Sequence, residues 1–261
     1  MEFEEMIKNP AFVALIAVAI LIIVVGIVAC VGEIVLAVKY VKFNRKKNSL
    51  GKTGQQIARE ILDKNGLEKI KVKCVGSLLF GNSYGHYFKS VRLRRRTWKK
   101  DSISSLAMAA QKSSLAVLDK EKDPAMKTRI VLTPIICFGP IAFIPLVIVG
   151  VILDILLMVS LNLELPLFTI ILSALGFAFY IASFVMSIVI LKSEKRAQER
   201  SYDLMREMNV SESDINDCKE LFHLYNIQYV LDLIMEILEL IYRILQVLVL
   251  KSNSSSSSSN N

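Results

Sequence analysis

The sequence predicts an α-helical multi-pass membrane protein with four spans and one small α+β domain on the cytoplasmic side. Three observations predict this class. The chain of 261 residues is 53% hydrophobic with a mean hydropathy of +0.47, too apolar for an ordinary soluble domain. Its apolar residues gather in three charge-free runs, 9–32, 130–153 and 165–191, each longer than the roughly 20 residues that a bilayer core needs. The charges gather too: residues 39–129 carry 23 Lys and Arg against 7 Asp and Glu, in a chain of formal net charge +8.

In chain order, residues 1–9 form a short extracytoplasmic amino terminus and 10–38 the first span. Lys39, Lys42, Arg45, Lys46 and Lys47 follow the span and hold that end in the cytoplasm. Glu2, Glu4 and Glu5 outnumber Lys8 ahead of it, which is not the basic start of a cleavable signal. Glu33 falls near the inner end of the span, where it snorkels or faces a neighbouring helix.

Residues 39–129 make the basic cytoplasmic α+β domain, whose charge suits an anionic leaflet and says little about nucleic acid. Thr53 is placed to cap a short helix with Ile57, Ala58, Ile61 and Leu62 on one face, and Asn65 and Gly66 stop it. Lys69, Lys71 and Lys73 then alternate with Ile70, Val72 and Cys74, the period of a half-buried strand. Turn-forming residues follow at 81–88, and 90–96 reads as a second strand with Val91 and Leu93 on one face. A helix over 102–118 closes the domain. Asp101 or Ser102 caps it, and Ile103, Leu106, Ala110 and Leu115 give it an apolar stripe.

The second span, 130–160, contains Pro134, Pro140 and Pro145, so it bends or begins late, near Ile135. Asp154 and Glu164 mark its far end, and a short connection to the third span, 165–191, makes an antiparallel pair. Lys192, Lys195, Arg196 and Arg200 return the chain to the cytoplasm. Residues 192–222 read as a soluble helical segment in which Ser211 is a cap. The stretch 224–250 is long enough to span, yet Asp232, Glu236, Glu239 and Arg243 follow steps that put them on one face. That polar stripe faces a bundle interior, where Glu239 and Arg243 can pair, or it faces water with the helix lying on the membrane. The span is preferred, because an interfacial helix is usually richer in lysine. The Ser/Asn tail, 251–261, has nothing to bury and reads as disordered.

Chemistry-bearing motifs are sparse. Cys30, Cys74, Cys137 and Cys218 are widely spaced and read as reduced packing residues. No Walker loop, GxGxxG run or nucleophile elbow occurs. His86 and His223 stand alone, and each reads as a packing or hydrogen-bonding residue before a ligand.

Gly51, Thr53, Gly54, Ala58, Arg59, Ile61, Leu62, Asp63, Asn65, Gly66 and Leu67 meet a G-x-T-G-x-x-x-A-R-x-I-L-D-x-N-G-L signature. With His86-Tyr87, Val91-Arg92-Leu93 and Ser102-Ile103, this block resembles the bacterial neutral zinc metallopeptidase family of YugP-like multi-pass membrane proteins. The likeness covers most of 50–245 and implies a metallopeptidase-like cytoplasmic domain. It also implies H-E-x-x-H on the 102–118 helix, two histidines for zinc and a glutamate to take a proton from the metal-bound water. This chain has Gln111, Lys112 and Leu115 there. A neutral amide is a poor zinc ligand, leucine is none, and an ammonium repels the ion and accepts no proton. The family's third ligand, a glutamate after the third span, falls near Lys192, with Glu194 the nearest carboxylate.

The degenerate helix predicts a pseudoprotease without a cofactor, acting as a binding or scaffolding protein at the plasma membrane. Its expected partners are anionic lipids and other membrane proteins. One alternative is an active zinc enzyme with unusual ligands drawn from His86, Cys74 or Glu194. The other is a lipid- or nucleic-acid-binding membrane protein built on Arg92, Arg94, Arg95, Arg96, Lys99 and Lys100 around Trp98. For that basic patch, a solvated strand end and contact with anionic head groups are both open. RNA ranks third, since a single tryptophan makes a poor stacking platform.

Overall fold

A computed structural model describes residues 10–76, 81–161 and 167–258, and they fall into two compact units. The first unit joins residues 10–41 to residues 223–258; the second is Lys42–Phe222. The chain is mostly helical with one small sheet. In order it forms α1 (Pro10–Arg45), α2 (Gly54–Lys64), β1 (Lys71–Val75), β2 (Ser83–Gly85) and β3 (Ser90–Arg94). There follow α3 (Arg95–Lys99), α4 (Ile103–Lys120), α5 (Pro124–Leu161), α6 (Leu167–Glu207) and α7 (Glu212–Ser258).

The glycine-rich signature is a helix-entry device. Gly51 has φ of +61°, a left-handed conformation that favours glycine. Thr53 and Gln56 then form a capping box: the Thr53 side chain accepts from the Gln56 amide, and the Gln56 side chain accepts from the Thr53 amide at 2.8 Å. Gly54 lies against the Thr97 carbonyl so closely that a Cβ there would overlap it. At the other end Gly66, φ +64°, lets the Leu67 amide reach back to the Leu62 carbonyl at 2.9 Å. Arg59 fixes the following loop, donating to Asp63 and to the carbonyls of Leu67 and Ile70.

The sheet has the order β1-β3-β2, with β3 parallel to β1 and antiparallel to β2. Val91 and Leu93 are fully buried, as the alternation predicts, and Ile70 is buried ahead of β1. Cys74 departs from the pattern and is exposed. The second strand ends at Arg94, where the expectation ran on to residue 96: Arg95 and Arg96 turn into α3, which buries Thr97 against α2. The additional strand β2 lies within the stretch read as turn. Gly85 adjoins the Arg92 side chain and the Phe88 ring, a crowding that disfavours a Cβ.

Helix α4 is the core of this unit. Ser102 caps it by accepting from the Ser105 amide at 3.2 Å. Every residue from Ile103 to Leu118 is buried, so the single apolar stripe of the sequence reading is replaced by burial on all sides. Asn48 and Ile103 tie its entry to the end of α1 through backbone bonds to Asp101 and Lys46.

Helices α5 and α6 pack as a long antiparallel pair. Gly150 permits the approach, since a Cβ there would lie 2.8 Å from Thr169 Cα. Buried Asp154 caps α6, its two oxygens accepting from the Phe168 and Thr169 amides at 2.9 and 2.7 Å. Helix α5 starts at Pro124, well before Ile135, because Asp123 caps its first turn through the Ala125 and Met126 amides. Helix α6 runs on past its apolar part to Glu207, and Ser211 caps α7 as the sequence suggests, accepting from Asp214 at 3.2 Å.

In the first unit α1 meets α7 where Gly32 leaves room for Gln228, and Gln228 donates to Asp232 at 3.1 Å. Among the described residues two helices, α1 and α6, are long and apolar enough to cross a membrane, where the sequence reading expects four. The described part of α5 adds only a shorter apolar stretch, Pro145–Leu157. In α7 the acidic stripe interrupts the apolar run. That helix continues to Ser258, beyond the start of the tail read as disordered.

Candidate functional site

Gln111 and Lys112, two of the positions where the resemblance places the metal motif, converge on one buried carboxylate. Gln111 and Lys112 come from the middle of α4 and Glu194 from α6 just past its apolar stretch. Gln111 Nε2 donates to Glu194 Oε2 at 2.9 Å, and Lys112 Nζ reaches the same oxygen at 2.7 Å. Arg129, from the first turns of α5, donates through Nη1 to Glu194 Oε1 at 2.7 Å and to Ser193 Oγ at 3.0 Å. The Glu194 side chain is only 5% exposed and that of Lys112 only 9%.

Burial by itself raises the pKa of Glu194. The Lys112 and Arg129 charges and their hydrogen bonds outweigh it, so the carboxyl is held down at about 2. At neutral pH it is an ionised group with both oxygens committed to donors, a poor base and a poor free ligand. Two cations on one carboxylate also leave the cluster with an excess positive charge.

Leu115, where the resemblance places the second histidine, is fully buried in an apolar cluster with Leu118, Met126 and Ala197. Lys192, where the resemblance places the third ligand, points elsewhere. It is exposed and lines an open cleft of about 470 Å³ with Asp123, Lys195, Arg196 and Glu199. Glu194, the alternative carboxylate, is the one facing α4.

The donor set does not fit a zinc ion. Zinc sites draw on thiolate, imidazole and carboxylate, and here Glu194 faces an amide and an ammonium instead. Among the described residues no three His, Cys, Asp or Glu side chains are grouped for a metal.

His86 is bound elsewhere on α4. His86 Nδ1 contacts Asp119 Oδ2 at 2.6 Å, and Tyr84 donates its hydroxyl to the same oxygen at 2.6 Å. Asp119 is eight residues beyond Gln111 on α4, a rise of roughly 12 Å. Burial and the Asp119 bond push the Tyr84 phenol above its usual range. In the basic patch Arg94, Arg95, Arg96, Lys99 and Lys100 are exposed, Trp98 is half-buried, and the half-buried Arg92 lies 5.0 Å from the Phe88 ring centre. On α7 Asp232, Glu236, Glu239 and Arg243 are exposed.

Sequence reasoning missed Arg129, Ser193, Tyr84 and Asp119. Arg129 had one visible signal: it is the last charge before the apolar run 130–153.

No curated protein and no solved structure matches this chain. A family model described as "Putative neutral zinc metallopeptidase" matches residues 18–248, nearly the whole length. The signature at 51–67 and the α4 helix both fall within that match, and the chain is a member of this metallopeptidase family.

Proposed function

We propose that the chain is a catalytically silent member of its family, a pseudoprotease that serves as a binding or scaffolding protein at a membrane. One observation carries the reading: Lys112 Nζ sits 2.7 Å from Glu194, so a fixed internal cation occupies the electrostatic role that a metal plays beside a carboxylate. Removing both histidines and the base takes away the activated water and the group that deprotonates it. The framework survives, since the capping box, the Arg59 clamp and the buried α4 helix all remain.

The reading includes a plasma-membrane setting with four spans, the amino terminus outside and the α+β domain in the cytoplasm. Helices α1 and α6 supply the long apolar segments, and the close packing of α5 on α6 supports α5 as the antiparallel partner. The polar stripe of α7 and the exposed basic residues of α3 supply surfaces for other membrane proteins and for anionic lipid.

Hydrolysis of an unstructured polypeptide by the reconstituted chain, with and without added zinc and chelator, tests the reading. The expected rate equals that of protein-free vesicles. Zinc-dependent cleavage that a chelator abolishes and Glu194→Gln reduces would instead establish an active enzyme with unusual ligands.

A further inference from the structure

The turn at 86–89, between β2 and β3, carries two aromatic side chains that neither the core nor the buried ion cluster uses. Tyr87 is 63% exposed and Phe88 71%. Such side chains on a loose loop need no explanation, but this turn is held on several sides. Tyr84 and His86 both bind Asp119 at the end of α4. The Lys89 amide closes the turn on the His86 carbonyl at 3.2 Å, with Lys89 at φ +40°. Arg92 lies 5.0 Å from the Phe88 ring centre.

The remaining hold gives the turn its position. The Tyr87 hydroxyl reaches the Ile130 carbonyl on α5 at 3.3 Å. Ile130 opens the charge-free run 130–153, Val131 beside it is 69% exposed, and Lys127 and Arg129 precede it. The turn therefore stands at the level of α5 where charge gives way to outward apolar surface. Tyrosine and other aromatic rings gather at that level of a bilayer, with polar edges among head groups and ring faces towards the chains. Exposed Lys89 and half-buried Arg92 add the charge that anionic head groups favour.

We propose that the turn at 86–89 inserts Tyr87 and Phe88 into the interfacial layer of the bilayer that α5 enters, pinning the α+β domain against the lipid surface. The inference rests on the membrane reading above and is separable from it.

The full chain carrying Phe88→Trp is reconstituted in vesicles of phosphatidylcholine and phosphatidylglycerol, with or without lipid brominated near the head group. The unsubstituted chain, whose only tryptophan is Trp98, gives the baseline, and Ile148→Trp on the outward face of α5 reports whether that helix is in lipid. The expected result for Phe88→Trp is added emission that is blue-shifted and lost in the brominated vesicles. Added emission that stays water-like and unquenched, while that of Ile148→Trp is quenched, overturns the anchor and leaves the membrane reading standing. Quenching of neither overturns both.

Discussion

Lys112 Nζ and Glu194 Oε2 lie 2.7 Å apart in the interior, on the turn of α4 where the resemblance places the metal-binding histidine and the catalytic glutamate. With Arg129 on the second oxygen of Glu194, the carboxylate is charge-compensated from both sides without a metal. The following consequences are measurable.

Removing the anion strands one buried cation, Lys112, and one half-buried cation, Arg129. Glu194→Ala is expected to cost about 3–5 kcal/mol, the usual range for breaking a buried pair from one side. Lys112→Met leaves Arg129 on Glu194 and costs less. Denaturant titration of the two variants in detergent checks the order, and equal costs would mean that Arg129 contributes nothing.

The cluster also predicts an acid dependence. The Glu194 carboxyl has an ordinary value of 4.5 and is held at about 2 in the folded chain; burial opposes that shift and the two cations drive it. A folded pKa below the unfolded one stabilises fully above the unfolded value and is lost as pH falls from there through the folded value. The amount is about 3 kcal/mol at most, between about pH 5 and pH 2. Thermal midpoints across that window fall more steeply for the native chain than for Glu194→Gln.

Rebuilding the metal motif tests whether the lysine is what excludes the ion. Gln111→His with Leu115→His alone leaves the ammonium beside Glu194, and zinc does not raise the thermal midpoint. Adding Lys112→Glu removes the cation and restores H-E-x-x-H on one helical face, and zinc then stabilises the chain. A zinc-induced shift already present in the double variant contradicts the assignment to Lys112.

The signature glycines differ in what they do. Gly54→Ala places a Cβ against the Thr97 carbonyl and forces α2 and α3 apart. Gly51→Ala meets open space and bears only the left-handed backbone cost, about 1 kcal/mol. Comparative melting is expected to show the larger loss for Gly54→Ala.

Local chemistry made much of this fold legible. Thr53, Asn65 and Gly66 bound α2 in the sequence as in the structure, and Val91 and Leu93 alternate into the core. Helix α4 was harder to read, because its Ser102 to Leu118 sequence mixes serines, a glutamine and a lysine that are buried only by tertiary partners. Strand β2 has three residues, too few for a period, and it pairs with β3 through a reversal at 86–89 that holds no glycine or proline to mark it. The candidate site was half visible. The family motif located Gln111, Lys112 and Leu115, but the partners Arg129 and Glu194 are 65 residues apart and only packing brings them together. Counting along α6 put the third ligand near Lys192, two positions from the carboxylate that faces α4.

The claim that a lysine has taken the metal's place is tested most directly by elemental analysis of the full chain, purified with zinc present and then dialysed. The account predicts a zinc content indistinguishable from that of the Glu194→Ala chain. One equivalent retained by the native chain, and lost on Glu194→Ala, would contradict it.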